Sequence, residues 1–258
     1  MAYPAMRGER NDSTGVQVIA RAAEILRALK GQAEGLSLSQ IANKVGLAKS
    51  TVYRIVRALE AERFVTSASP HGRIRLGLGL APLAAWVNTE MRQQIRPYME
   101  LLSKEVNETV DLAVLDDNLV FFIDQVVVPH RLQAISAVGA TFPLHCTANG
   151  KALLAELPLE QIERIVPEHL QIFTSHTITT REQLLEDLNL VRRESIAYDR
   201  EEHTEGICAL GTTIRDAMGD LAAITIPVPS VRFYGNEQNF VSALLNMRQR
   251  IKEGVEML

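Results

Sequence analysis

The sequence predicts an α+β protein in two parts. A small N-terminal winged helix-turn-helix leads through a linker helix to a larger domain, an antiparallel sheet flanked by helices. Three observations predict it. Residues 36–76 read as a short capped helix, a glycine turn, a second amphipathic helix and two short strands. The charge is divided: residues 15–77 carry ten Lys/Arg against four Asp/Glu, a net +6, whereas residues 78–258 carry fifteen against twenty-five, a net −10, within a chain of −4 overall. From residue 110 onward, adjacent apolar strand patterns joined by turn signals alternate with helical segments, the order expected of hairpins with helices packed on them.

Taken in order, Val18, Ala22, Ile25, Leu26 and Leu29 recur at helical spacing and predict a first helix ending near Gly31. Ser37 followed by Gln40 fits a capping box, Leu38, Ile41, Ala42 and Val45 supply one apolar stripe, and Gly46 suits the left-handed residue that ends such a helix. In the next helix, at about 100° per residue, Val52, Ile55, Val56 and Leu59 share one face. Ser50, Arg54 and Arg57 lie opposite, flanked by Thr51 and Tyr53, and Lys49 at the helix start is a further DNA-binding candidate. That outer face holds the donors needed to clamp phosphates and probe base edges in a major groove. A solvated basic face would look the same in isolation; the capped helix and tight turn before it favour DNA reading. Residues 64–66 and 73–76 alternate like two strands around Ser69-Pro70-His71-Gly72, a wing that would set Arg73 and Arg75 beside the phosphate backbone. A basic module on an acidic body is the electrostatic footprint of a DNA-binding head carried by something else.

Residues 78–92 are helical in pattern, with Leu80, Leu83, Ala84 and Val87 on one side and Trp86 beside them, a linker helix suited to packing on a partner copy. Pro97 is expected to open a helix through Tyr98, Leu101, Leu102 and Val106. Strands follow at 110–115 and 119–127 around Asp116-Asp117-Asn118, then an apolar segment at 132–138 and a helix starting near Ala152. A helix at 183–193, strands at 196–199, 209–214 and 221–226, and a closing helix at 239–252 complete the order. The domain assignment is 1–13, a disordered tail; 14–77, the DNA-binding winged helix; 78–92, the linker helix; and 93–258, the effector domain.

At 258 residues the chain has room for two domains. No apolar run approaches the roughly twenty residues of a membrane span, and the N-terminus lacks the apolar core of a signal peptide. The two cysteines, Cys146 and Cys208, are far apart without metal-type spacing, which fits free thiols in a cytoplasmic protein. Rival chemistries are weak. Asp199, Glu201 and His203 alternate and on a strand would share a side suited to a metal, but a solvent-facing charged strand has the same pattern. His145 beside Cys146 suggests a thiol nucleophile, yet strand neighbours point to opposite faces. Gly150-Lys151 lacks the rest of a phosphate loop, and Gly77-Leu78-Gly79 is too short for a dinucleotide fingerprint. An RNA-binding head would show more exposed aromatics than Tyr53 alone. No enzyme activity, metal or cofactor is expected.

The order of these parts, together with Gly46-Leu47-Ala48-Lys49-Ser50-Thr51-Val52-Tyr53-Arg54, Leu144-His145-Cys146-Thr147-Ala148 with Gly150-Lys151-Ala152, and Tyr198-Asp199-Arg200-Glu201-Glu202-His203 with Gly206, resembles the IclR family of bacterial transcription regulators. The resemblance implies a winged-helix head, a linker helix and a GAF-like effector domain. It also implies a homodimer that can pair into a dimer of dimers, a near-palindromic double-stranded operator, and repression more often than activation under control of a small metabolite. The effector site it implies includes Cys146, Ala148, Asn149 and Asp199. Where members commonly carry a cysteine this chain has Ala209, with Cys208 displaced by one, and where some carry serines it has Thr225 and Pro227. With Phe142 and Ile207, these substitutions point to a roomier, more apolar site than the smallest oxoacids need. The expected effector is an aromatic or branched carboxylate anchored by Thr225 and the backbone amides around Asn149.

Overall fold

The computed structural model describes residues 17–67, 72–85 and 89–256. The expected tail at 1–13, most of the wing turn (Ser69, Pro70 and His71), Trp86 and Val87 lie outside the described residues. The chain divides into two compact units, residues 1–87 and 88–258.

In the first unit, α1 (Gln17–Leu29), α2 (Leu38–Val45) and α3 (Lys49–Ala61) precede the hairpin strands β1 (Val65–Ser67) and β2 (Ile74–Leu76). The Ser37 hydroxyl accepts from the Gln40 amide, and the Gln40 side chain accepts from the Ser37 amide at 2.9 Å, so two orphan donors are satisfied reciprocally. Gly46 closes α2 at φ 65°, a left-handed conformation that a side chain disfavours. Ile25, Leu29, Ile41, Val52, Ile55, Val56, Leu59, Val65 and Ile74 form one core. Leu36 and Ile74 exchange backbone hydrogen bonds of 2.8 Å each, tying the start of α2 to the wing. After Gly79 the chain forms the short helix α4 (Leu80–Ala85), on which Leu83 is exposed.

The second unit is built on a fully antiparallel six-stranded sheet. Its strands are β3 (Val110–Asp116), β4 (Leu119–Val126), β5 (Thr141–Pro143), β6 (Ala197–Arg200), β7 (Ile207–Arg215) and β8 (Leu221–Pro229), in the order β5-β4-β3-β8-β7-β6. One face packs on α5 (Thr89–Val106) and α10 (Glu237–Glu256), burying Leu112, Ile123, Cys208, Leu210, Ile224 and Ile226 against Ile95, Met99, Leu244 and Met247. The other face carries Ala113, Val120 and Phe122 and packs with α6 (Ala148–Ala155), α7 (Leu159–Ile165) and α8 (Arg181–Glu194). The four-residue helix α9 (Ser230–Phe233) follows β8.

Several elements differ from the sequence reading. Pro97 does not open a helix; it lies inside α5. Met91, Ile95, Met99 and Leu102 are all buried along that helix. Each such side chain contributes roughly 1.5–3 kcal/mol, which together outweighs the roughly 3 kcal/mol cost of one internal proline. The apolar segment at 132–138 is irregular, with Leu132, Ile135 and Val138 exposed, and β5 and α7 were not anticipated. His145 and Cys146 sit in a turn before α6, not on a strand. The strand expected to align Asp199, Glu201 and His203 stops at Arg200, because Glu201 takes φ 64°.

Candidate functional site

On the head, helix α3 presents Lys49, Ser50, Tyr53, Arg54 and Arg57 to solvent, with Thr51 half-buried at its first turn. Arg57 is held by Glu60 at 3.0 Å, and the other carboxylate oxygen of Glu60 accepts from the Ser67 hydroxyl at 2.9 Å. That chain of contacts links the outer face of α3 to strand β1. Arg75 pairs in register with Thr66 and is exposed. Arg73 precedes β2 rather than lying in it, and its guanidinium reaches the Gly35 carbonyl at 3.4 Å. Surface pairs of this kind are worth about 0–1 kcal/mol, so Glu60 holds Arg57 only weakly.

In the second unit, cross-strand register gathers residues that are distant in sequence. Asp199 stands opposite Ala209, which stands opposite Pro227; one step along, Gly211 pairs with Thr225, and Thr225 with Asp111. Directly opposed residues share a face, so Asp199, Ala209, Thr225 and Pro227 look the same way, with Ile207 two positions from Ala209 on that face. Helix α6 crosses it, and the Asn149 side-chain amide donates to the Thr225 hydroxyl at 2.9 Å, both residues being buried. Thr147 caps α6, accepting from the Gly150 amide. A Cβ on Gly150 would come within 2.2 Å of the Leu144 carbonyl oxygen, so the glycine serves a close backbone approach. Phe142 on β5 stacks on His203 at 4.5 Å and meets Phe122 edge-on at 5.0 Å. Cys146 and Ala148 are fully buried beside these groups. Cys208, one residue from Ala209, faces the opposite side and belongs to the core under α5 and α10.

The sequence reading missed the charged groups beneath this face. Lys151, 1% exposed, donates to Glu202 at 2.6 Å, and its ammonium lies 3.0 Å from Asp187. Asp187 Oδ2 has no hydrogen bond there, so Glu202 is the better-aligned partner. Burial alone would lower the Lys151 pKa, but Glu202 and then Asp187 raise it. Asp111 is buried, accepts from Gln125 at 2.6 Å, and is pushed up to about 7 by that burial. Asp199 is also pushed up to about 7, first by burial and then by Glu202. The loop after β6 is clamped by Thr174 and Thr177, whose hydroxyls each donate at 2.6 Å to the carbonyls of Glu201 and Glu202. An aspartate at an inward position of an apolar strand, as at Asp111, was the available signal; nothing local marked Asp187 as a partner of Lys151.

This geometry does not support the rival chemistries. Burial, followed by Asp199 and Glu202, raises the Cys146 thiol, which keeps it protonated. Glu201 accepts from the Gly206 amide while the His203 ring meets the Thr204 hydroxyl, and among the described residues no group of three His, Cys, Asp or Glu is placed to hold a metal. Two surface cavities, of about 250 and 580 Å³, lie elsewhere: one beside Glu156, Arg192 and Arg248, the other beside Glu163, Arg181 and Glu186. No helix among the described residues is long and apolar enough to cross a membrane.

Two family models account for nearly the whole chain: the IclR helix-turn-helix domain matches residues 18–69, and the bacterial transcriptional regulator IclR C-terminal domain matches residues 83–253. The chain belongs to the IclR family. It is a DNA-binding transcriptional regulator. Among its relatives, the HTH-type transcriptional regulator Rv1719 of Mycobacterium tuberculosis is 48% identical over 93% of both chains. The HTH-type transcriptional regulator TtgV of Pseudomonas putida is 37% identical over 93% of this chain and 92% of its own. Among solved structures, an IclR homologue of Microbacterium hydrocarbonoxydans complexed with 4-hydroxybenzoate has the same fold, with a TM-score of 0.82 and 23% identity over 93% of this chain and all of that one.

Proposed function

We propose that this IclR-family protein is a repressor whose operator binding is controlled by a small organic effector held in the second unit. The exposed basic face of α3, set on a capped helix-turn-helix, carries the DNA half of this reading. Arg54 and Arg57 enter the major groove, Lys49, Ser50, Thr51 and Tyr53 make base or phosphate contacts around the helix start, and Arg73 and Arg75 hold the backbone from the wing. Residues 14–77 form the head, 78–92 the linker helix and 93–258 a GAF-like sensor. A homodimer, able to pair further, places two α3 helices on a near-palindromic site, since protein symmetry sets operator symmetry. The protein works in the cytoplasm, at the nucleoid when operator-bound.

Repression is supported by AllR of Escherichia coli, a transcriptional repressor 33% identical over 88% of this chain. The effector site is Phe142, Cys146, Ala148, Asn149, Asp199, Ile207, Ala209, Thr225 and Pro227, with apolar side chains suited to an aromatic or branched molecule. The homologue holding 4-hydroxybenzoate shows that this fold accommodates an aromatic ligand. Anisotropy titrations of the full protein against its own promoter DNA, duplex RNA and unrelated DNA test the head, and a promoter reporter tests direction. Tight salt-dependent binding to the promoter alone, with reporter output rising when the gene is deleted, is the expected result. Equal binding to unrelated DNA would refute sequence-specific control, and falling output would make the protein an activator.

A further inference from the structure

The face proposed to hold the effector has an acidic pole that the sequence reading did not include. Asp111, 1% exposed, lies in register with Thr225 and points to the same side of the sheet as Asp199, Ala209 and Pro227. Its carboxylate is positioned by the side-chain amide of Gln125 at 2.6 Å, and the same amide donates to the Ser136 carbonyl at 3.1 Å. Beside it, the Thr225 hydroxyl accepts from Asn149.

The cations that could balance an incoming anion are already committed. Lys151 is closed by Glu202 and Asp187. His145 donates its Nε2–H to the Gln171 carbonyl at 2.9 Å, and burial holds both His145 and His203 below the ordinary imidazole range. The N-terminal turn of α6 spends its Gly150 amide on Thr147. An effector carboxylate placed here would therefore meet Asp111 and Asp199 while Lys151 and His145 are already engaged elsewhere, and burying like charges together is costly. A hydroxyl or N–H of an uncharged ligand instead adds a donor to those the carboxylate already has from Gln125 and Ser136, and a hydrogen bond to a charged group is among the stronger kinds.

We propose that the effector is an uncharged molecule donating a hydrogen bond to Asp111, with its apolar body against Ala209, Pro227 and Phe142. This rests on the effector site assigned above and replaces the carboxylate expected from the sequence. Asp111 is then the residue that selects hydroxyl-bearing ligands over acids.

Calorimetric titration of the full-length protein at pH 8 tests it, with benzyl alcohol, phenol and benzoate as probes and Asp111→Asn and Ala209→Phe as variants. The wild type should bind both hydroxyl probes at least about tenfold more tightly than benzoate, a comparison that depends on no variant. Asp111→Asn should lose about tenfold in alcohol binding and discriminate less against benzoate. Ala209→Phe, which fills the site, should lose all three. Benzoate bound as tightly as the alcohols, no binding of either hydroxyl probe, or Asp111→Asn binding the alcohols unchanged would each overturn the role of Asp111. Probe binding that survives Ala209→Phe would instead overturn the assignment of the site.

Discussion

Replacing Lys151 by methionine should destabilise the second unit more than any surface change. The ammonium is 1% exposed, 2.6 Å from Glu202 and 3.0 Å from Asp187. Methionine fills a similar volume but leaves the buried Glu202 and the half-buried Asp187 without their counter-charge. Removing one partner of a buried pair costs about 3–5 kcal/mol. A unit of this size shifts by about 2–4 °C per kcal/mol, so the melting temperature should fall by roughly 6–20 °C. Differential scanning calorimetry of the full chain, following the transition of the second unit, measures it. The triple variant Lys151→Met, Asp187→Asn, Glu202→Gln removes all three charges and should recover most of the loss, because neutral replacements of buried ion pairs are often tolerated. A single variant melting within about 2 °C of wild type would refute the reasoning. So would a triple variant less stable than the single one.

Arg54→Ala should lower the salt slope of operator binding by about one unit if the guanidinium holds a phosphate, and should cost about 1–3 kcal/mol with relaxed specificity at one position if it reads a base; titrations at several salt concentrations separate these outcomes from the null expected of an unused side chain. Stability should depend on pH through Asp111: its folded pKa of about 7 exceeds the ordinary 3.8, so the folded state holds a proton that the unfolded chain releases. That contribution, at most about 4 kcal/mol, is present below about pH 4 and lost as pH rises to 7. Urea midpoints of Asp111→Asn compared with wild type between pH 5 and 8 should therefore show a flatter profile in the variant. Gly150→Ala should disrupt the turn into α6, since its Cβ would lie 2.2 Å from a carbonyl oxygen, and should lower expression or melting temperature well beyond the roughly 1 kcal/mol expected of Ser37→Ala at the cap of α2.

The head was legible because its signals are local. Ser37 and Gln40 are three residues apart, Gly46 marks its own backbone, and the buried stripe of α3 repeats within a single helix. Apart from β5, the strands of the second unit were legible for the same reason, and so was the displacement of Cys208: with a period of two, one residue's offset moves a side chain to the other face of β7. Pro97 misled because a local preference competed with four buried side chains that only the folded sheet supplies. The effector face was half legible. Family words supplied Asn149, Asp199 and Thr225, but Asp111 joins them through the register between β3 and β8, and Lys151 finds its partners on α8 and beyond β6. Register is decided by which face of each strand is buried, and a burial pattern inside a continuous apolar run carries no such mark. The acid at position 111 was nonetheless the exception worth weighing. An apolar strand accepts a buried carboxylate only where something offsets its desolvation, and Ser136 and Gln125 together offset only part of it, since burial still pushes the carboxyl up to about 7. The remainder is a standing demand for a donor, and a site that binds and releases a ligand is where such a demand can be left open.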